Sequence, residues 1–158
     1  MADVELTREE LENVQDVFDL FDFWDGRDGF IDAVKVGDML RCVDLNPTLA
    51  NIKSWGGTDK PGEKQLSYEE FLAIYKQTKN VKEWGTFRDF EEAFKSFDRE
   101  GQGYISAAEM RHLLTAMAER LSDEDVDEII KLTDLTIDLE GNVKYEDFIN
   151  KVLEGPKL

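Results

Sequence analysis

The chain has 158 residues, with 36 Asp and Glu against 19 Lys and Arg and a formal net charge of −17. That balance denies it the basic footprint needed for nucleic acid and for docking on an anionic membrane; it favours cations instead, as metal ions or as a basic partner segment. Hydrophobic residues make up 41%, and there are ten Phe, so this is a folded acidic protein rather than a disordered acidic tail. One cysteine, Cys42, leaves no intrachain disulfide and suits a reducing cytosol. There is no apolar run of bilayer length and no signal peptide. The opening Met-Ala lacks the glycine that N-myristoylation needs, and the expected location is cytoplasmic.

In chain order, the first element is a helix announced by the capping box Thr7-Arg8-Glu9-Glu10. Leu11, Val14, Phe18 and Phe21 give it one apolar face, and it runs into Asp22. Further helices fit near 32–44, 67–79, 87–97, 106–119 and 144–153. Asn46-Pro47 reads as an N-cap followed by Pro in the first helical position, and Ser122 with Asp125 as a shortened capping box. The polar stretch 78–86 ends in Gly-Thr, which reads as a break with a new cap or simply as a helix end. Residues 1–80 and 81–158 are the expected lobes.

The chain repeats. Phe18-x-x-Phe21-Asp22 returns as Phe94-x-x-Phe97-Asp98, and Gly29-Phe30-Ile31 as Gly103-Tyr104-Ile105. Leu66 and Val143 hold the matching place in two more worn copies, so that positions 31, 66, 105 and 143 are separated by 35, 39 and 38 residues. A period of that size means one supersecondary unit used again, here helix–loop–helix, whose apolar face is buried only by pairing. The expected fold is all-α: four EF-hand units paired into two calmodulin-like lobes.

An EF-hand loop follows D-x-[DN]-x-[DN]-G-x5-E, with hard oxygens at alternate positions, Gly at the turn and a bidentate Glu at position 12. Loop three, Asp98 to Glu109, keeps Asp, Gly103 and Glu but has Glu100 and Gln102 at positions 3 and 5; on pattern alone it is the best metal candidate. Loop two, Asp59 to Glu70, has Pro61 at position 3 and Lys64 in place of the Gly, and is expected to be metal-free. Loop four has Thr136 at position 1 and Asp147 at position 12, an arm one methylene too short. Loop one reads DFWDGRDG, with its Gly two places late and Lys35 where the Glu belongs. It is either dead or an irregular cage built from Asp22, Asp25 and Asp28, three carboxylates within seven residues. Spacing leaves that choice open.

Residues 92–148 resemble the second half of calmodulin, through EAFKSFDREGQGYISAAEMRHLLT, RLSDEDVDEII and GNVKYEDF. Residues 18–31, together with the GGTDKPGEK loop, resemble a narrower family: the essential light chain of myosin, of molluscan muscle type. The resemblance covers essentially the whole chain. It implies a subunit that wraps a long basic neck helix of the myosin heavy chain at an Ile-Gln-type motif. The subunit would stiffen that helix as a lever arm and sit beside a regulatory light chain in the muscle thick filament. It also implies one calcium site in the first loop, made by the side chains of Asp22, Asp25 and Asp28 and the carbonyls of Gly26 and Phe30, which reverses the ranking of loops one and three.

The residues agree with a helix-clamping role. Apolar side chains of the second lobe are mostly core, with Met110, Leu114 and Met117 the first choices for contact with the partner helix. Four Met and three impaired loops fit a dedicated subunit better than a free calcium sensor with many targets or a calcium buffer. Catalysis finds no support: His112 reads as a surface residue, Cys42 as a packing residue, and no nucleophile triad or phosphate loop is present. Trp24, Trp55 and Trp84 read as packing or partner contacts.

Overall fold

The computed structural model describes residues 4–79, 81 and 85–155. It divides into two compact units, Met1–Trp84 and Gly85–Leu158, at a point inside the polar 78–86 stretch. Trp84 lies outside the described residues.

The first unit opens with α1 (Arg8–Asp25), capped as the sequence requires: the Thr7 hydroxyl accepts from the Glu10 N–H, and the Glu10 carboxylate accepts from the Thr7 N–H. Glu10 also pairs at 2.6 Å with Lys79, at the far end of α4 (Tyr68–Lys79), tying the first helix of the unit to its last. Between them come β1 (Phe30–Asp32), a 3-10 turn (Ala33–Lys35), α2 (Val36–Cys42), α3 (Leu49–Ser54) and β2 (Gln65–Ser67). The second unit holds α5 (Phe87–Lys95), β3 (Tyr104–Ser106), α6 (Ala107–Ala116), α7 (Asp123–Leu132), β4 (Asn142–Lys144) and α8 (Tyr145–Glu154). Thr86 with Asp89, and Ser122 with Asp125, form complete capping boxes on α5 and α7.

The architecture is thus mostly helical, with two short ribbons added. β1 pairs antiparallel with β2, placing Ile31 opposite Leu66; β3 pairs with β4, placing Ile105 opposite Val143. These are the four repeat positions, and all are buried. Each begins a core. In the first unit Ile31 and Leu66 join Val14, Phe18, Met39, Leu40 and Phe71; in the second, Ile105 and Val143 join Met110, Tyr145, Phe148 and Ile149.

Three local expectations are corrected. The helix read as ending at Asp22 continues to Asp25, because nothing in Phe23-Trp24-Asp25 breaks it and Gly26, at φ 124°, is the first residue able to turn out of it. The cap read at Asn46-Pro47 is Thr48, whose hydroxyl accepts from the Asn51 N–H, leaving Pro47 ahead of the helix. Cys42, read as a packing residue, is exposed at the end of α2.

Truncating Leu66 to Ala should remove about 2–5 kcal/mol from the first unit by leaving a cavity beside the ribbon. Urea unfolding followed by the fluorescence of Trp55, which packs against that core, measures the loss.

Candidate functional site

Loop one begins inside a helix. Asp22 and Asp25 lie three residues apart in the last turn of α1, a spacing that sets them on one face. The chain then turns through Gly26, Arg27 (φ 57°) and Gly29 (φ 82°). Asp22 is the centre of that turn: its Oδ1 accepts from the N–H groups of Asp28 and Gly29, both at 3.1 Å. The Asp25 carboxylate accepts from the Asp32 N–H at 2.8 Å, and that of Asp28 from the Phe30 N–H at 3.1 Å. The Arg27 guanidinium lies 4.0 Å over the ring of Phe23, not against an acidic side chain. Asp22 is half-buried; Asp25, Gly26, Asp28 and Phe30 are exposed. A hollow lined by Leu20, Phe21, Trp24 and Cys42 opens beside the loop.

The donor set suits a hard cation in its chemistry, since each of the three carboxylates keeps acceptor capacity beyond its amide bonds. In their present positions, however, no three His, Cys, Asp or Glu side chains among the described residues are gathered so as to hold a metal. Loop one carries three carboxylates and is closed by its own amides.

The carboxylates of the other loops also take donors of the protein. In loop two Asp59 pairs with Lys53 at 2.8 Å, and the Gly62 N–H donates at 2.7 Å across to Asp32 of β1. In loop four Asp138 accepts from the N–H groups of Glu140 and Asn142. In loop three Asp98 accepts from the Gly103 N–H at 2.7 Å, the Gln102 N–H at 3.3 Å and the Tyr145 hydroxyl at 3.0 Å. Burial opposes the charge of Asp98, but the Gly103 amide and the Tyr145 hydroxyl outweigh it and hold its pKa below the ordinary aspartate value. Burial and the same hydrogen bond push the Tyr145 phenol up. Tyr145 was not singled out from the sequence. Its signal is the repeated Tyr-Glu-(Glu/Asp)-Phe that follows Leu66 and Val143 by two residues.

The three residues chosen for partner contact separate in the structure. Met110 is fully buried in the second core and in this conformation supports the surface from beneath. Leu114 is half-buried against the same core, and Met117, beyond the end of α6, is 52% exposed. Leu132, Val152 and Leu153 add exposed apolar surface to the unit. On its outside, Arg111 of α6 bonds both Asp123 and Asp127 of α7 and joins the two helices. His112 is exposed. Among the described residues no helix is long and apolar enough to cross a membrane.

Residues 87–153 match the EF-hand domain pair family. Along its length the chain is 63% identical to the myosin essential light chain of striated adductor muscle from Argopecten irradians, over 96% of each protein. It is 53% identical to the myosin catalytic light chain LC-1 of Todarodes pacificus mantle muscle, over 96% of this chain and 95% of that one. Among solved structures it resembles a chain of the Physarum polycephalum myosin II regulatory domain, with a TM-score of 0.74 and 28% identity over 94% of this chain and 97% of that one.

Because the pKa of Asp98 in the folded chain lies below its unfolded value, its stabilising effect is complete above the ordinary aspartate range and is lost as pH falls through the lower folded value. The second unit should therefore lose stability on acidification below about pH 4, and Asp98→Asn should shrink that acid-induced loss. Thermal unfolding of both chains across that range measures it.

Proposed function

We propose that this chain, which belongs to the myosin essential light chains of molluscan muscle, clamps and stiffens the neck helix of a myosin heavy chain as a permanently bound, non-catalytic subunit. The supporting observation is that its likeness to such light chains runs through both units and not through one EF-hand pair alone. A protein of similar fold, Mlc1p, at 29% identity and a TM-score of 0.67 over 88% of this chain and 96% of that one, is solved bound to IQ2 of Myo2p, a class V myosin. The physics runs the same way. A single helix standing in water is marginal, and enclosing its apolar stripe between two lobes supplies the tertiary support it lacks. A shell of charge −17 complements the Arg and Lys of a basic helix. Leu114 and Met117 are the contacts proposed on the second unit.

The finer part of the proposal concerns calcium. Asp22, Asp25 and Asp28, with the carbonyls of Gly26 and Phe30, would hold one ion in loop one, where it would draw three mutually repelling carboxylates together. What supports this is the donor set, rich in hard oxygens and confined to one glycine-flanked turn. The amides now bonded to those carboxylates have to yield or share them. The neck, with a regulatory light chain alongside, is the setting in which the loop is proposed to do so, as part of the muscle thick filament.

A basic amphipathic peptide of heavy-chain neck type should bind the chain with calcium chelated; a tight complex that appears only with calcium would indicate a free sensor instead. In the assembled neck, Asp28→Asn should abolish calcium binding while Glu109→Gln leaves it nearly unchanged. Calorimetric titration decides between this and an equal loss from both changes, which would remove loop one from the proposal.

A further inference from the structure

The two units carry the same tyrosine in the same place and use it differently. Tyr68 follows Leu66 by two residues at the start of α4, and Tyr145 follows Val143 by two at the start of α8. Each lies against the matching phenylalanine of its unit's first helix. Tyr68 meets Phe18 edge-on, with ring planes at 81° and centroids 5.6 Å apart. Tyr145 lies parallel to Phe94, with planes at 8° and centroids 5.8 Å apart.

The two hydroxyls also differ in their partners. The Tyr145 hydroxyl reaches 3.0 Å from Oδ2 of Asp98, the first residue of loop three, and the Gly103 N–H takes the same oxygen at 2.7 Å. A carboxylate oxygen has two in-plane lone-pair directions, so these two donors fill Oδ2. Oδ1 carries the longer 3.3 Å contact from the Gln102 N–H. Tyr145 is 3% exposed, and its own N–H donates to the Gly103 carbonyl at 3.3 Å, so the phenol is held over the loop by backbone as well as by ring stacking. In the first unit the corresponding carboxylate, Asp22, takes the N–H groups of Asp28 and Gly29, and the Tyr68 hydroxyl is not among its donors.

We infer that the Tyr145 hydroxyl seals loop three, occupying one oxygen of its first carboxylate in place of a cation. Loop three thereby stays shut although it keeps Asp98, Gly103 and Glu109 in register. A cation that takes Oδ2 must displace a hydrogen bond from a buried phenol, and one that binds through Oδ1 alone meets a carboxylate whose charge that phenol already shares. Loop one lacks this seal. The inference therefore supplies a reason for the proposed preference of calcium for loop one, but its test does not depend on loop one.

The test uses the full-length chain carrying Asp28→Asn, so that loop one is removed from the titration, with and without Tyr145→Phe. Calcium is followed at the Gly103 amide by NMR, a readout local to loop three, and circular dichroism checks the fold. Losing a hydrogen bond to a charged group should tighten calcium binding at loop three by about tenfold or more. The matching change, Tyr68→Phe, should leave Gly103 unmoved. An unchanged calcium midpoint at Gly103 in a folded Tyr145→Phe chain overturns the seal. If that variant does not fold, the native chain with its tyrosines labelled at Cζ replaces it. There the Tyr145 Cζ resonance should move together with Gly103 as calcium rises, or both should stay fixed. Filling of Gly103 with Tyr145 unmoved overturns the inference. Failure of the loop-one proposal would show separately, as calcium binding that persists in the assembled neck with Asp28→Asn alone.

Discussion

Each unit depends on a three-residue antiparallel ribbon that joins its two loops. The ribbon fixes Ile31 on Leu66 and Ile105 on Val143 and sets all four at the floor of a core. The helices on either side then have one arrangement that buries their apolar faces. Because the ribbon joins loop to loop, neither loop of a pair moves alone. In the first unit this coupling is made stronger by Asp32, whose N–H serves Asp25 of loop one and whose carboxylate takes the Gly62 N–H of loop two. Loop two has no pattern for metal binding, yet it braces the loop that has the carboxylates.

The four loops share a feature. Each carries carboxylates at ligand positions that take donors of the protein itself: backbone amides, a lysine of α3 beside loop two, and a phenol of α8 beside loop three. A loop so closed is held by hydrogen bonds and ion pairs of the protein itself.

The fold was legible because the repeat is carried by residues that do one thing. Positions 31, 66, 105 and 143 are apolar since each must enter a core, and Thr7 with Glu10 caps a helix by local chemistry alone. The ribbons themselves were not foreseen, because three residues are too few to show a period of two. The end of α1 was misplaced because a loop pattern was laid over Asp22 to Asp25, while the backbone obeys helix propensity until a glycine interrupts it. Met110 is apolar and on α6, but sequence does not say that this methionine faces the core. The bond from Tyr145 to Asp98 spans 47 residues, so no local pattern encodes it.

The overrun of α1 into its loop places Asp22 and Asp25 in the last turn of a helix that has no basic residue there. The C-terminal end of a helix carries partial negative charge, so both carboxylates repel it as well as each other. Added salt weakens helices laced by ion pairs; this last turn responds in the opposite sense and firms as ionic strength rises and the like charges are screened.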